Sequence, residues 1–435
     1  MRKGILLAAA ALGFAALANG QANPTGTSTA PQTSANSPTP AQITLDDAIR
    51  MALLHNHALQ AMRTTIQQSQ AEEVTANLRP NPTLGLDAQF LPIFQPNQFS
   101  SDYIDQSAQF DAGVGYLFER GKKRQHRLQA ARDQTAVVRS QVSDNERQLV
   151  FNVGQQFVDV LLAESTLEFA QKDLDSFQKT VDISNERFRV GDMSEGDFLK
   201  IKLQLLQFQT DVSAAKLAKV QALAALRQFL GFESVPDDYD VQGTLDYQPV
   251  HGDVNGLKTL AAINRPDLRA AQQGVTAAGS QLALQKANGK MDVTGTFNYT
   301  HTAGVNTGAF YYSMPLPIFD RNQGEIQRAG YAVTQAQQQA SETAQQVSTD
   351  VVEAYENLRT NDEIIQLYQG GYVDQAKQSR DISEYAYRKG AASLLDYLDS
   401  ERTYRANQLA YRQALANYML ALEQMREAVG TRNLP

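Results

Sequence analysis

Two eleven-residue stretches, RVGDMSEGDFL at Arg189–Leu199 and RKGAASLLDYL at Arg388–Leu398, are copies of one another. Arg, Gly, Ser, Asp and Leu recur in the same order and without a gap. A glycine-centred turn flanked by long helical stretches therefore occurs twice in the chain. Because repeated segments of this kind indicate a repeat architecture, the pair predicts that the chain consists of two duplicated halves.

The duplication extends well beyond the two turns. HALQA at 57–61 matches PDLRA at 266–270, and FER at 118–120 matches FDR at 319–321. The matches are separated by slightly different distances, so the connecting loops differ by a few residues. We assign a first repeat to 43–231, an equatorial connection rich in Pro, Gly and Asp to 232–253, a second repeat to 254–430 and a C-terminal tail to 431–435.

The N-terminus has the pattern of a secretory signal peptide. Arg2 and Lys3 precede the apolar run ILLAAAALGFAALA, and small residues follow it. We predict a signal peptide at 1–20 and a disordered linker rich in Ser, Thr and Pro at 21–42. Removal of Arg2 and Lys3 takes the net charge of −8 two units lower, to −10. This acidic balance argues against nucleic acid as a partner.

The chain contains no cysteine. Disulfides, thiolate metal sites and an acylated N-terminal cysteine are therefore excluded, and we expect no lipid anchor. Beyond the signal segment, no apolar run approaches the roughly 18 residues that a transmembrane helix requires. If the exported chain enters a membrane, it must do so as β-strands.

Proline is absent between Pro96 and Pro236 and again between Pro317 and Pro435. Because proline breaks helix interiors, long helices can form in these two stretches. A seven-residue apolar repeat within them predicts antiparallel coiled-coil packing, although an ordinary helical bundle has the same seam. The predicted helices lie at 44–79, 121–188 and 194–230 in the first repeat and at 254–288, 325–387 and 393–430 in the second.

Each repeat also contains two segments in which apolar and polar residues alternate. The four predicted strands lie at 82–91, 109–118, 292–301 and 309–318. Such segments with aromatic residues on one face are typical of membrane strands, although a half-buried soluble hairpin has the same pattern. Four strands cannot close on themselves, and open edges in hydrocarbon leave backbone groups unpaired.

Closure must therefore come from several chains. Two chains would give eight strands around a filled interior, whereas three give twelve strands around an aqueous lumen. The predicted fold class is thus mainly α with membrane β. Long antiparallel coiled-coil helices form an α-barrel, and four β-strands per chain complete a 12-stranded trimeric β-barrel.

Several motifs together resemble the TolC-like outer-membrane efflux family over residues 43–430. They are ITLDDAIRMALLHNHAL at 43–59, NRPDL at 264–268, MPLPIFDRNQGEIQRA at 314–329 and the two turns quoted above. The PLPIFDRNQG stretch is most similar to the branch that serves heavy-metal cation exporters. The resemblance implies a homotrimeric efflux duct in the outer membrane that extends into the periplasm. Its partners would be a periplasmic adaptor (membrane fusion) protein, an inner-membrane RND-type pump and outer-membrane lipid.

The resemblance also implies roles for residues of the two tips. Adaptor-contact candidates are Arg189, Gly191, Ser194, Arg388, Gly390 and Ser393. Candidates for the periplasmic gate are Asp197, Tyr387, Asp396 and Asp399. A ring of like charges from three chains would raise the pKa of these carboxyl groups and attract cations. The family's arginine two residues after the glycine is Ala392 here, so a salt-bridge latch is not expected from that position.

The residues alone also support a simpler structural interpretation of the tips. The two glycines are typical of residues that end a helix in the left-handed conformation. Ser194 with Asp197, and Ser393 with Asp396, read as helix N-caps. A carboxylate can cap a helix and still face a lumen, so the two interpretations are compatible.

No catalytic, cofactor-binding or metal-ligating pattern is visible. The five histidines are scattered, and His55 and His57 point about 200° apart on a helix. GYLFERGKK at 115–123 lacks both the spacing and the hydroxyl residue of a phosphate loop. We therefore expect no enzyme activity and no cofactor. A type I protein secretion duct of the same fold, or a soluble periplasmic coiled-coil scaffold, remain alternatives.

Overall fold

The computed structural model describes residues 41–250 and 252–434. The predicted signal peptide and nearly all of the predicted linker lie outside these residues. The helices and strands, in chain order, are β1 (Gln42–Ile43), α1 (Leu45–His55), α2 (His57–Asn77), β2 (Thr83–Gln89), α3 (Ser101–Gln106), β3 (Gln109–Phe118), α4 (Lys123–Arg189), α5 (Glu195–Leu230), β4 (Asp240–Val241), α6 (Val254–Asn264), α7 (Pro266–Asn288), β5 (Val293–Thr302), β6 (Val305–Ser313), α8 (Gln323–Leu367), α9 (Val373–Arg388) and α10 (Leu394–Val429).

The first short strand corrects the end of the predicted linker. Gln42 was expected to be disordered, but it pairs in parallel with Asp240 of β4. Its neighbour Ile43 is buried in the core of the first repeat. The ordered chain therefore begins at least one residue before the predicted boundary, because the backbone of Gln42 has a strand partner.

The first helix of each repeat is broken, contrary to the predicted single helices at 44–79 and 254–288. The backbone is extended at Asn56, with ψ 114°, and at Arg265, with ψ 116°. Asn56 then caps α2, its side-chain oxygen accepting from the Leu59 amide at 2.9 Å. In the second repeat Pro266 opens α7, a position where proline costs no hydrogen bond.

The two breaks have equivalent partners. Asn56 Nδ2 donates to the carbonyl oxygen of Phe229 at 3.0 Å, near the end of α5. Arg265 Nη1 donates to the carbonyl oxygen of Ala428 at 3.3 Å, near the end of α10. Both side chains thus tie the break in the first helix to the last turn of the repeat. The duplication seen in the sequence is preserved in these contacts.

The long helix of the first repeat is continuous, whereas its counterpart in the second repeat is not. The 67 residues of α4 extend about 100 Å at the usual helical rise. The helix predicted at 325–387 is interrupted by a wider π turn at Tyr368–Tyr372, where Gly371 has φ +102°. This interruption separates α8 from α9 and is a further correction to the prediction.

Four strands form one antiparallel sheet in the order β2-β3-β5-β6. The fourth strand lies at Val305–Ser313 rather than at the predicted 309–318. Ala303 and Gly304, both with positive φ, form a tight turn directly after β5, so β6 begins earlier than expected. Pro315 and Pro317 follow it and cannot donate ladder hydrogen bonds, so it also ends earlier.

The sheet has one apolar and one polar face. Leu86, Ala112 and Tyr299 are paired in register on the apolar face, while their neighbours Asp87 and Asp111 pair on the polar face. Leu86 is 74% exposed in the single chain. The strands β2 and β6 are the edges of the sheet, so their outer backbone groups have no partner strand among the described residues.

Each repeat has its own apolar core. The first joins α1, α4 and α5 through residues such as Ile49, Phe157 and Leu226. The second joins α6, α7, α8 and α10 through residues such as Val351 and Tyr418. The apolar repeat along α8 contributes Val347, Val351, Ala354, Leu358 and Ile365 to the second core, which agrees with the predicted packing between helices. Among the described helices, none is both long and apolar enough to span a lipid bilayer.

Candidate functional site: the two hairpin tips

The helix pairs α4–α5 and α9–α10, here called the first and second hairpins, reverse direction through the same backbone motif. At the end of α4, the amide of Asp192 donates to the Arg187 carbonyl at 2.8 Å and that of Gly191 donates to the Phe188 carbonyl at 3.0 Å. The same two bonds recur at the end of α9 around Gly390. This double bond pattern is the Schellman motif.

Both tips need glycine because of the backbone conformation there, and not because neighbouring atoms leave no room for a side chain. Gly191 has φ +84° and Gly390 has φ +75°, values that side chains with a Cβ atom rarely adopt. A Cβ atom built on either residue would meet nothing within 4 Å. The surfaces around both glycines are therefore open.

A serine starts the second helix of each hairpin. The Asp197 amide donates to Ser194 Oγ, and the Asp396 amide donates to Ser393 Oγ, both at 3.1 Å. Only the second tip has the complete capping box, in which Asp396 also accepts from the Ser393 amide at 3.2 Å. The predicted N-caps are thus present in the structure.

The capping bonds also control the ionisation of the two aspartates. The hydroxyl of Ser393 lowers the pKa of Asp396. The hydroxyl of Ser194, followed by Lys200 at 3.2 Å, lowers the pKa of Asp197. Within one chain both carboxylates therefore carry a negative charge at neutral pH, which is the state that a cation-attracting ring requires.

The predicted adaptor-contact residues lie on exposed surfaces. Arg189 is exposed and forms an ion pair with Glu186 at 2.8 Å, within the last turn of α4. Arg388 is ion-paired with Glu384 within the last turn of α9. Each guanidinium group thus lies beside the negative end of a helix dipole. The two tips present similar charges to whatever approaches them.

A cleft of roughly 610 Å³ separates the two tips and brings some of the gate candidates together. Asp197 and Tyr387 both line it, together with Ser194, Gly390 and Ser393. Asp396 and Asp399 do not line it and are exposed on α10. Asp399 forms only a local ion pair with Arg402, at 3.0 Å. The four candidates are therefore not one cluster within a single chain.

Tyr387 is buried at the base of this cleft. Its ring stacks on that of Tyr397, with ring centroids 5.4 Å apart and planes within 8°. The guanidinium of Arg187 lies 5.6 Å from the centre of the Tyr387 ring, and its Nη1 donates to the Tyr387 carbonyl at 3.4 Å. Arg187 also pairs with Asp192 at 3.0 Å. The two hairpins are thus joined through this arginine.

Sequence reasoning did not identify Arg187. Its counterpart in the second repeat is Ala386, and this difference between the two copies was the available signal. The cleft that contains Ala392 therefore does have an arginine, although from the other hairpin. Sequence reasoning also missed a buried charged cluster farther along the helices, around Asp173 and Glu401.

The tips combine exposed, charged helix ends with a cleft between the two hairpins. Within residues 41–250 and 252–434, no group of three histidine or carboxylate side chains is placed to hold a metal ion. A sheet with an exposed apolar face, continued by long paired helices with exposed tips, is the architecture of an outer-membrane channel.

Residues 48–232 and 257–431 match the family described as Outer membrane efflux protein. The chain belongs to this family. The predicted family, fold class and outer-membrane efflux function are confirmed by this match and by the relatives described next.

Two relatives and one solved structure illustrate the similarity. Cobalt-zinc-cadmium resistance protein CzcC of Cupriavidus metallidurans is 22% identical over 363 residues, which cover 83% of this chain and 84% of the relative. Outer membrane protein TolC of Escherichia coli is 23% identical over 387 residues, covering 83% and 76%. A crystal structure of CusC, described in connection with transmembrane channel formation, has a TM-score of 0.75 and 18% identity, covering 89% of this chain and 92% of that one.

Proposed function

We propose that three copies of this chain form a passive exit duct of a tripartite efflux system. The observation that carries the proposal is the four-stranded sheet with two open edges and an apolar face that is exposed in the single chain. Three such sheets joined edge to edge give twelve strands. Joining β6 of one chain to β2 of the next would satisfy the backbone groups that hydrocarbon cannot satisfy.

The polar face of the sheet suits a water-filled lumen. Asp111 accepts hydrogen bonds from Thr300 and, at 3.0 Å, from Asn298, which lie on the neighbouring strand. On the other neighbouring strand, β2, Asp87 is the register partner of Asp111. Carboxylates on this face remain hydrated in an aqueous channel, whereas on a lipid-facing surface they would be costly.

The hairpin tips are the proposed docking surface for a periplasmic adaptor protein. Arg189, Gly191 and Ser194 in the first tip correspond to Arg388, Gly390 and Ser393 in the second. A trimer would therefore present six similar ends in a ring. Through the adaptor, the duct would receive substrate from an inner-membrane pump of the RND type.

The gate would lie at the same end of the duct. Asp396 and Asp399 are exposed on α10, where a threefold axis would bring their copies together, while Asp197 and Tyr387 line the cleft between the hairpins. We propose that the aspartates provide a cation-attracting constriction and that the cleft residues hold the hairpins in the closed arrangement.

Substitution of the two aspartates tests the gate. Asp396→Asn and Asp399→Asn together remove two charges per chain, and asparagine at 396 can still accept the capping bond. We expect reconstituted channels to lose preference for cations and to change conductance. Glu342→Gln, at an exposed position of α8, is the matched control. Unchanged selectivity and conductance in the double variant would exclude these residues from the gate.

Divalent heavy-metal cations are the proposed cargo, and the support is the similarity to CzcC, whose name specifies cobalt, zinc and cadmium resistance. A deletion strain tests this proposal. We expect it to become sensitive to these metals, and a plasmid copy of the gene to restore resistance. Sensitivity to dyes or antibiotics alone would assign another cargo to the duct, and an unaltered profile would count against an efflux role.

A further inference from the structure

A cluster of buried charges joins the two hairpins away from the tips. We call it the interhairpin cluster. Its members are Asp173 on α4, Asp211 on α5, Arg380 on α9, and Glu401 and Arg405 on α10. Asp173 and Glu401 are each only 4% exposed. Such buried carboxyl groups are costly unless they are paired or protonated, so their partners are decisive.

Two arginines serve more carboxyl groups than they can neutralise. Arg405 lies between Asp173, with its Nε 2.7 Å from the carboxylate, and Asp211. Arg380 lies between Asp381, at 2.8 Å, and Glu401, at the longer distance of 3.8 Å. Glu401 therefore has the weakest compensation by positive charge.

Asp173 on α4 and Glu401 on α10 are buried in the same cluster, and their carboxyl groups interact across the two hairpins. Two neighbouring buried carboxyl groups repel each other unless one of them keeps its proton. Burial, followed by the negative charge of Asp173, raises the pKa of Glu401 to about 8. Burial also raises the pKa of Asp173, despite Arg405. The proton is thus held on Glu401 at neutral pH.

Other titratable, charged and hydrogen-bonding groups surround the pair. Those on the packed helices are Thr180 and Glu168 on α4, Asp211 on α5, Asp381 and Glu384 on α9, and Tyr397, Tyr404 and Arg412 on α10. The tyrosines stay protonated, because burial raises the pKa of both Tyr397 and Tyr404. Glu401 is therefore the group whose charge changes near neutral pH.

We propose that the interhairpin cluster is a proton-operated latch, in which protonated Glu401 holds the second hairpin against the first and its ionisation releases them. This proposal rests on the proposed duct function. Loss of the proton leaves two negative charges in one buried cluster where water is excluded, and their repulsion acts between α4 and α10. The π turn at Tyr368–Tyr372 lies about 12 Å along the helix from Arg380. At this turn α9 can bend relative to α8.

The sign of the pH effect follows from the raised pKa. A detached Glu401 would have the ordinary value of 4.5, so the closed arrangement binds the proton more tightly than the released one. The stabilisation is complete below about pH 4.5 and is lost as the pH rises through about 8. High pH therefore favours separation of the hairpins.

Distance measurements on the assembled protein test the latch directly. The chain has no cysteine, so spin labels attach only at introduced residues, such as Lys179→Cys on α4 and Ala406→Cys on α10, both exposed positions. We expect the distances between labels to increase and broaden when the pH is raised from about 6 to about 9. Unchanged distances over this range would overturn the proposal.

Two substitutions make the test specific. Glu401→Gln can still donate to Asp173 but cannot ionise, and Asp173→Asn removes the second carboxylate. We expect Glu401→Gln to keep the short distance at both pH values and to lose the pH dependence that Glu401 contributes to the thermal midpoint. Asp173→Asn should only weaken the pH response, because burial still raises the pKa of Glu401. Glu342→Gln is the control, with an unaltered response. A variant that responded to pH as strongly as the parent protein would exclude the latch.

The label distances do not depend on ion flow. Absence of any current from reconstituted trimers would therefore count against the proposed duct alone. Fixed distances in trimers that do conduct would count against the latch alone. The two proposals can thus fail separately.

Discussion

Arg265 is a buried charge that connects three parts of the second repeat. Its guanidinium pairs with Asp267 at 2.6 Å and Asp350 at 2.9 Å, and donates to the carbonyl of Ala428. Burial disfavours the charge of Arg265, but these bonds outweigh it and raise its pKa further. The equivalent residue in the first repeat, Asn56, is uncharged and likewise donates to a carbonyl oxygen near the end of the last helix. Truncation of the side chain at this position should therefore lower the free energy of unfolding by different amounts in the two repeats.

We predict that Arg265→Ala lowers the free energy of unfolding by about 3–5 kcal/mol, because it leaves two partly buried carboxylates unpaired. Asn56→Ala should cost only about 1–2 kcal/mol, since it removes neutral hydrogen bonds and a cap. Thermal midpoints followed by circular dichroism would rank them. Arg50→Ala, which breaks an exposed ion pair, is the control and should change stability by about 0.5 kcal/mol or less. Equal midpoints for the first two variants would contradict this account.

Residues with local roles could be predicted from the sequence, and residues with distant partners could not. The turn glycines and the capping serines depend only on neighbours within a few positions, so Gly191 and Ser393 were identified correctly as structural elements. Arg187 contacts Tyr387 of the second hairpin 200 residues away, and Asp173 shares a buried cluster with the even more distant Glu401. Such contacts cannot be predicted from apolar periodicity, because each of these residues by itself resembles an ordinary charged side chain on a helix surface.

At the scale of the elements, the break between α8 and α9 depends on two adjacent glycines with different conformations. Gly371 has φ +102°, whereas Gly370 is within the helical turn, and no atom lies within 4 Å of a Cβ atom added there. The first repeat has no such break in its long helix. The second hairpin is therefore the one whose helix can bend.

We predict effects of opposite sign at these neighbouring positions. Gly371→Ala should destabilise the protein by about 1–2 kcal/mol, because a Cβ atom is strained at this φ value. Gly370→Ala should stabilise it by up to about 1 kcal/mol, through the better helix propensity of alanine. Chemical denaturation of the two variants would measure both. Destabilisation by both substitutions to the same extent would show that the break does not depend on Gly371.

The sequence predicted the elements better than their ends. Apolar periodicity located the long helices and all four strands, since each of these elements has a regular apolar face. The break at Asn56 was missed because this position lies inside a continuous helical pattern. The break at Arg265 did have a signal in the sequence, since Pro266 follows it. The displacement of β6 to Val305–Ser313 arose because the tight turn at Ala303 and Gly304 was not recognised. Local turn chemistry and tertiary hydrogen bonds decide these boundaries.

At the scale of the whole molecule, the account depends on closure by neighbouring chains. A single sheet exposes both the edges β2 and β6 and large apolar side chains such as Leu86 and Tyr312. Lipid and adjacent sheets would cover these surfaces in the proposed trimer. Charge on the lipid-facing surface should therefore be poorly tolerated, whereas charge on the polar face should be accepted.

We predict that Leu86→Lys prevents assembly in the outer membrane, because a lysine near the middle of a lipid-facing strand costs about 2–4 kcal/mol per chain. Gln89→Lys, which places the same charge on the opposite face of β2, is the matched control and should assemble normally. Membrane fractionation and trimer yield would distinguish the variants. Normal yields of both would mean that this face does not contact lipid.

The mass of the assembly in mild detergent tests the central claim most directly. Native mass spectrometry of the protein extracted from outer membranes should show three processed chains in one particle, since one chain alone cannot complete a pore. A stable, water-soluble single chain recovered from the periplasm, with its hairpins folded and without lipid, would contradict the account.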